Sequence, residues 1–341
     1  MAFNKKFSFA GKSVGEGCPV LFIAEAGVAH FGALDKAYEL VDLAVESGAD
    51  VFKTQAYQTR ELVASNMTSW FSRLESKEVD LEFLKKVKNR CDERGIIFLC
   101  TPHEESVIPW MKALNVPAIK IGSGERGNDP YIKKLIALGL PLIVSTGMYE
   151  ASHLHKLIAL CESEGVTDLA LLHCVTSYPT PKNEANLRVL NTYRNFFDGV
   201  VGYSDHTQGH DAVLAAVALG ANIIEKHISI DFNVADAQDW KVSSGPDDLA
   251  ELIRKVRAVE ELLGCGDLKV ASCERRSVDW AIKSLVTTKA LKSGAKISEG
   301  DLIGRRSGAG GISPTYLHSI LGKTILRDMV EGQKLSWDFF E

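Results

Sequence analysis

Eight short apolar runs recur through the first two-thirds of the chain, each long enough for one buried strand and each followed by room for a helix. They are VLFIAEAG (20–27), VFKTQAY (51–57), IIFLCTP (96–102), AIKIGSG (118–124), LIVSTG (142–147), LALLHCV (169–175), VVGYSDH (200–206) and IIEKHIS (223–229). The segments between them, LDKAYELVDLAVESG, LEFLKKVKNRCDERG and ASHLHKLIALCESEG among them, space apolar residues at helical intervals and close on glycine, as helix C-termini do. Strand and helix alternating eight times predicts a (β/α)8 TIM barrel rather than an open doubly wound sheet. A shared plan of helix, Gly-Ala and strand in LAVESGADVFKTQAY and AAVALGANIIEKHIS fits that repeat.

The last barrel helix, DDLAELIRKVRAVEELLG, ends at Gly264, and the texture then changes. We expect residues 1–264 to form the barrel domain, with FSFAGKSV as a hairpin ahead of it, and 265–283 to be a polar linker. Residues 284–341 read as a small, mostly β unit whose short pieces are broken by SG, EG and GAGG. A unit of that size stands near the lower limit for folding alone.

Lys and Arg total 39 against 44 for Asp and Glu, a net charge of -5, so there is no basic surplus for nucleic acid. An anionic ligand must be held by local cations. The seven cysteines form no CxxC pair and are odd in number, which predicts reduced thiols in a cytoplasmic protein. No stretch approaches the length of a membrane span, and the N-terminus has no apolar leader.

In a TIM barrel, function sits at the C-terminal ends of the strands. This chain places chemistry there on every strand: Glu25, Lys53 and Gln55, Thr101, Lys120 and Ser123, Ser145 and Thr146, Thr176 and Tyr178, His206, and His227. His206 and His227 close neighbouring strands and can aim both rings into one mouth, as a divalent metal requires. A histidine at a strand end can equally be a hydrogen-bonded rim group. The company of Ser204, Asp205, Glu225 and Lys226 favours the metal. Lys53, Lys120 and Lys226, directed inward, would join the Ser and Thr hydroxyls in a site for phosphate, or phosphate plus carboxylate. A Schiff-base lysine is the alternative, but a barrel with a Lewis acid has no need of an imine. Cys174 and His173 point to opposite faces, so Cys174 is read as core.

The motifs IAEAGVAHFG, KTQAY, KIGSGE, STGM, LLHCVTSYPTP, GYSDHT and IEKHIS, in this order, resemble the sialic acid synthase family, which makes nonulosonic acids. KSLVTTKALKSGAKISEGDL and RRSGAGGISP resemble its antifreeze-like (SAF) domain. The resemblance implies condensation of phosphoenolpyruvate with an open-chain 2-acetamido aldose, with a divalent ion (Mn2+, or Mg2+ or Co2+) and release of phosphate by C–O cleavage. It implies His206 and His227 on the metal. Lys53, Gln55, Thr101, Lys120, Ser123, Ser145 and Ser204 would surround phosphoenolpyruvate, with Glu25 and Glu225 at the reacting carbons and Tyr178, Thr176 and Asp239 on the sugar. It further implies a domain-swapped homodimer in which Arg306, or Arg305, reaches the partner's sugar. The chain departs from the family pattern at Ala29 and Thr176, each where Asn is common, and at Trp240, where a histidine follows the aspartate. Lys283 replaces an arginine, a change read as neutral. The first three lie on the sugar side, which predicts the same reaction with an altered acceptor. A metal-dependent aldolase, a 3-deoxy-sugar-phosphate synthase and a silent sugar-binding protein are the competing readings.

Overall fold

The computed structural model describes residues 3–235 and 237–341. The chain divides into two compact units, one running through Gly264 and the other starting at Cys265.

The first unit opens with a hairpin, β1 (Lys6–Phe9) and β2 (Lys12–Gly15), turning at Ala10 and Gly11, both with positive φ. Two left-handed residues give the tight turn whose twist matches that of the paired strands. Eight parallel strands follow: β3 (Leu21–Gly27), β4 (Val51–Ala56), β5 (Ile97–Pro102), β6 (Ile119–Ile121), β7 (Leu142–Ser145), β8 (Leu169–Cys174), β9 (Val200–Asp205) and β10 (Ile223–His227). Their order is β5-β4-β3-β10-β9-β8-β7-β6, and β5 and β6 lie side by side, so the sheet curls into a barrel with its seam between those two.

Strand parity makes two cores from one set of runs. Residues facing outward, such as Phe22, Phe52, Phe98, Ile119, Val144, Leu171 and Ile224, pack against the helices in the large outer cluster. Residues facing inward, among them Ile23, Val51, Leu99, Ile143, Ala170 and Ile223, fill the barrel and meet Phe7, Phe9 and Val14 of the hairpin. Each large side chain so buried contributes about 1.5–3 kcal/mol. The helices are delimited by local chemistry. In Leu81–Arg94, Asp80 accepts from the Phe83 amide at 2.8 Å, and Gly95 at φ 73° closes the other end. Such a cap is worth about 1 kcal/mol.

The second unit contains an antiparallel pair, β11 (Lys283–Thr287) and β12 (Leu302–Arg306), with further isolated bridges, around a core including Leu285, Ile297, Ile320, Ile325 and Leu335. The stretch expected to be a bare linker carries a short helix, Arg275–Ala281.

Candidate active site

The inward parity that fills the barrel with aliphatic side chains ends one layer below the C-terminal mouth. Two residues beyond Ile23, Val51, Leu99, Ile143 and Ile223 on the same strand faces stand Glu25, Lys53, Thr101, Ser145 and Glu225, with Lys120 and Ser204 completing the ring. Each of these seven is at least 95% buried. Buried polar groups persist when they satisfy one another, and here most do, while among the described residues Glu25 Oε2 and Glu225 Oε2 lack a hydrogen bond and have only the lysine ammonium contacts.

Lys53 Nζ contacts Glu25 Oε2, donates to Thr101 Oγ1 at 3.0 Å and lies 3.6 Å from Glu225 Oε2. Lys120 Nζ donates to Ser145 Oγ at 2.7 Å and lies 3.6 Å from Glu225 Oε1. Ser204 Oγ donates to the same Oε1 at 3.0 Å, and Gln55 Nε2 donates to Glu25 Oε1 at 3.2 Å. The two carboxyls are driven apart. Burial pushes Glu25 up, and Lys53 only partly offsets it. Glu225 is also pushed up by burial, but Lys120 and Lys53 together bring it down to about 2. Lys120 is lowered by burial, whereas Lys53, although buried, is raised by Glu225 and Glu25. Two lysines set among inward hydroxyls at the mouth of a barrel suit an anion.

Ser123 stands at the rim, accepting from the Gly147 amide at 2.9 Å. A Cβ on Gly147 would lie 2.1 Å from Thr176 Oγ1 and 2.8 Å from Ser123 Oγ, so only glycine lets those hydroxyls approach the backbone so closely.

The two imidazoles converge, with ring centroids 5.3 Å apart. His206 donates from Nδ1 to the Val175 carbonyl at 2.8 Å, which fixes the ring's orientation and leaves Nε2 as the nitrogen open to a ligand. His227 is buried, and among the described residues its Nδ1 has no hydrogen-bond partner. Burial lowers its pKa against the pull of Asp239 and Glu225. Two imidazoles converging at this separation fit a divalent ion. Among the described residues no group of three or more His, Cys, Asp and Glu is arranged for one, so further positions would fall to water and substrate. Tyr178 stacks on His206 at 4.1 Å and meets His227 edge-on at 5.8 Å.

Above this pair lies a second chamber of about 220 Å³, lined by Gln55, Tyr178, His227, Asp239, Trp240 and Trp70, among others. Asp239, Gln55 and Glu25 converge over Gly27, where a Cβ would lie 3.3–3.5 Å from all three and φ is +54°. Trp240 donates from Nε1 to the Val234 carbonyl at 3.0 Å, which anchors its indole in the chamber wall. Trp70 comes from the helix Thr68–Glu75, in a loop whose sequence carried no motif to single it out. Arg306, on β12 of the second unit, is exposed, as is Arg305, and its guanidinium lies 4.9 Å from the Trp280 ring.

Two expectations need correction. Lys226 does not join Lys53 and Lys120, because it alternates with Glu225 and His227 and faces the helices. There it donates to Asp205 Oδ2 at 2.6 Å and to the Thr207 carbonyl at 2.7 Å, and Tyr203 donates to Asp205 at 2.9 Å. The site therefore has two strand-end lysines, and Asp205 is a structural partner. Cys174 is not confined to the core. It faces the mouth with Sγ 3.6 Å from His206 Nδ1, and although burial raises its pKa, His206 brings the net shift below the usual thiol value. The alternation that separates it from His173 places it beside the histidine of the next strand.

Fold and site define a TIM-barrel enzyme with a buried cup of lysines and carboxyls and a paired-imidazole centre at its mouth. Residues 40–268 match the NeuB family and residues 282–341 the SAF domain, and the chain belongs to the NeuB family. It is 35% identical to the N,N'-diacetyllegionaminic acid synthase of Campylobacter jejuni over 92% of this chain and 98% of that one. It is 30% identical to the N-acetylneuraminate-9-phosphate synthase of Homo sapiens over 95% and 94% of the two chains. The crystal structure of the N-acetylneuraminic acid synthetase of Leptospira borgpetersenii in complex with citrate aligns with a TM-score of 0.77 at 30% identity, covering 81% of this chain and 96% of that one.

Proposed function

We propose that this enzyme is a nonulosonic acid synthase that condenses phosphoenolpyruvate with a 2-acetamido aldose to a nine-carbon 2-keto-3-deoxy acid, releasing phosphate by C–O cleavage. The observation that carries this reading is the buried ring of Lys53, Lys120, Glu25 and Glu225 directly beneath two converging imidazoles. Lys53 and Lys120, with Thr101, Ser123, Ser145 and Ser204, hold the phosphate and carboxylate of phosphoenolpyruvate, and Gln55 stands beside them. His206 and His227 would hold a divalent ion, Mn2+ or alternatively Mg2+ or Co2+, which when bound would supply Lewis-acid polarisation of the sugar aldehyde. Tyr178, stacked on His206, orients the acceptor, and Asp239 and Thr176 meet its polar groups.

Glu25, whose hold on a proton burial strengthens, gives that proton to the oxygen that was the aldehyde as C3 of the enol attacks. Glu225, held ionised by two lysines, orients the water that adds at C2. The lysines stabilise the charge that gathers on the departing phosphate. Names of relatives support a nonulosonic product. Exposed Leu262, Leu268, Val270, Trp280 and Ile282, in and around the connection, support a homodimer with exchanged SAF domains in which Arg306 completes the partner's sugar site.

Among the described residues no helix is long and apolar enough to cross a membrane. With its seven cysteines free, the reading places the enzyme in the cytoplasm. The test is incubation of the protein with phosphoenolpyruvate, Mn2+ and a panel of 2-acetamido sugars while free phosphate is measured, using phosphoenolpyruvate labelled with 18O at the bridging position. Bridging label recovered in phosphate supports C–O cleavage. A product formed from pyruvate instead points to an aldolase, and no release with any sugar from folded, metal-loaded protein overturns the proposal.

A further inference from the structure

His103 belongs to none of the contacts described above, yet its position on the strand is that of a substrate-facing group. It lies two residues beyond Thr101, past the end of β5, so alternation aims it to the same inner side, one layer above the cup. Its ring edge lies against Gly122, where a Cβ would be 3.5 Å from Cε1, and Gly122 separates Ile121 from Ser123 at the rim. Tyr57, the next inward position beyond Gln55, meets the ring edge-on at 6.5 Å.

Among the described residues neither ring nitrogen has a hydrogen-bond partner in the protein, although the ring is half-buried and the backbone amide is satisfied by the Ala56 carbonyl at 3.0 Å. Neither nitrogen is among the buried atoms left without a partner, so both are open to solvent or to a bound ligand. The ring also borders a cavity of about 470 Å³ that contains Glu104, Glu105 and Glu125. The charges that act on it, however, are those of Lys53 and Lys120, which with burial hold it neutral, at about 3. A neutral donor suits a place beside two ammonium groups, because it adds a hydrogen bond to an anion without a third buried positive charge.

We propose that His103 is a substrate-binding residue whose imidazole N–H donates to the anion held by Lys53, Lys120 and Ser123. The proposal rests on the reading that this anion is phosphoenolpyruvate. The test is calorimetric titration of phosphoenolpyruvate, without acceptor, into wild-type protein and the variants His103→Phe, His103→Asn and His103→Gln, each checked by circular dichroism, with steady-state KM values for both substrates. His103→Phe keeps an aromatic ring against Tyr57 and Gly122 but has no N–H. We expect it to weaken phosphoenolpyruvate binding about 10-fold with the acceptor KM unchanged. Asn places its amide near Nδ1 and Gln near Nε2, so rescue to within about 3-fold by one of them identifies the donating nitrogen.

Wild-type affinity in folded His103→Phe overturns the proposal, and so does rescue by neither amide, which would make the ring's shape the contribution. Should His103→Phe not fold, equal loss in Asn and Gln overturns it and a difference between them supports it. Wild-type protein that binds no phosphoenolpyruvate sinks the underlying reading instead.

Discussion

Glu25 and Glu225 stand on adjacent strands, both beside the ammonium of Lys53, and their proton affinities move in opposite directions. Glu225 binds its proton less tightly than an ordinary glutamate at 4.5, so the folded chain carries fewer protons than the unfolded one between that pH and about 2. Its stabilisation is complete above that range and lost as pH falls through it. Glu25 is raised, so its contribution is complete below 4.5 and is lost as pH rises through its folded value. Wild-type protein should therefore lose stability more steeply than Glu225→Gln between pH about 5 and about 3, read as the slope of urea-derived stability against pH. Parallel slopes would contradict the assignment.

Lys120 is buried against its own preference for charge. Replacing it with methionine of similar length leaves Glu225 still beside Lys53, so the unfolding midpoint should fall only slightly, while kcat/KM for phosphoenolpyruvate falls about 10²- to 10³-fold. A stability loss without a kinetic one would make Lys120 a structural cation.

Lys226 gives the opposite pattern. Lys226→Met strands Asp205 in the outer core and should cost about 3–5 kcal/mol of stability. KM for both substrates should stay within about 2-fold in protein kept folded at low temperature, since neither group reaches the mouth.

How far the sequence alone led follows from these two lysines. The barrel was legible because eight apolar runs and their intervening helices leave few alternative topologies, and Lys53, Glu25, Thr101, Ser145 and Glu225 all converge as their strand-end positions imply. Which face each side chain takes was harder to read. A buried parallel strand is apolar on both sides, so its pattern does not reveal parity until one inward residue is fixed. Lys226 and Cys174 were misread for that reason. Trp70 and the upper chamber depend on a loop helix with no local signal, and the Lys53–Glu25 contact depends on the register of β3 against β4.

Removing either ring of the imidazole pair should show the metal directly. His206→Ala and His227→Ala are each expected to weaken Mn2+ binding at least about 100-fold by calorimetry. Chelation of the wild type should abolish phosphate release with an unchanged circular dichroism spectrum, and added Mn2+ should restore it.

Trp240 offers a test confined to the acceptor. Trp240→His, which replaces an anchored indole by a smaller polar ring, should reorder kcat/KM among 2-acetamido sugars by about 10-fold or more while KM for phosphoenolpyruvate holds. An unchanged ranking would remove Trp240 from the determinants of specificity.

The aliphatic layer that fills the barrel beneath the cup, backed by the aromatic hairpin at its foot, makes the cup a blind shaft. Traffic through a shaft with one opening is a queue. On the proposed assignment the three-carbon reactant must descend before the sugar settles above it, and the phosphate, freed at the bottom, waits for the nine-carbon acid to clear the way.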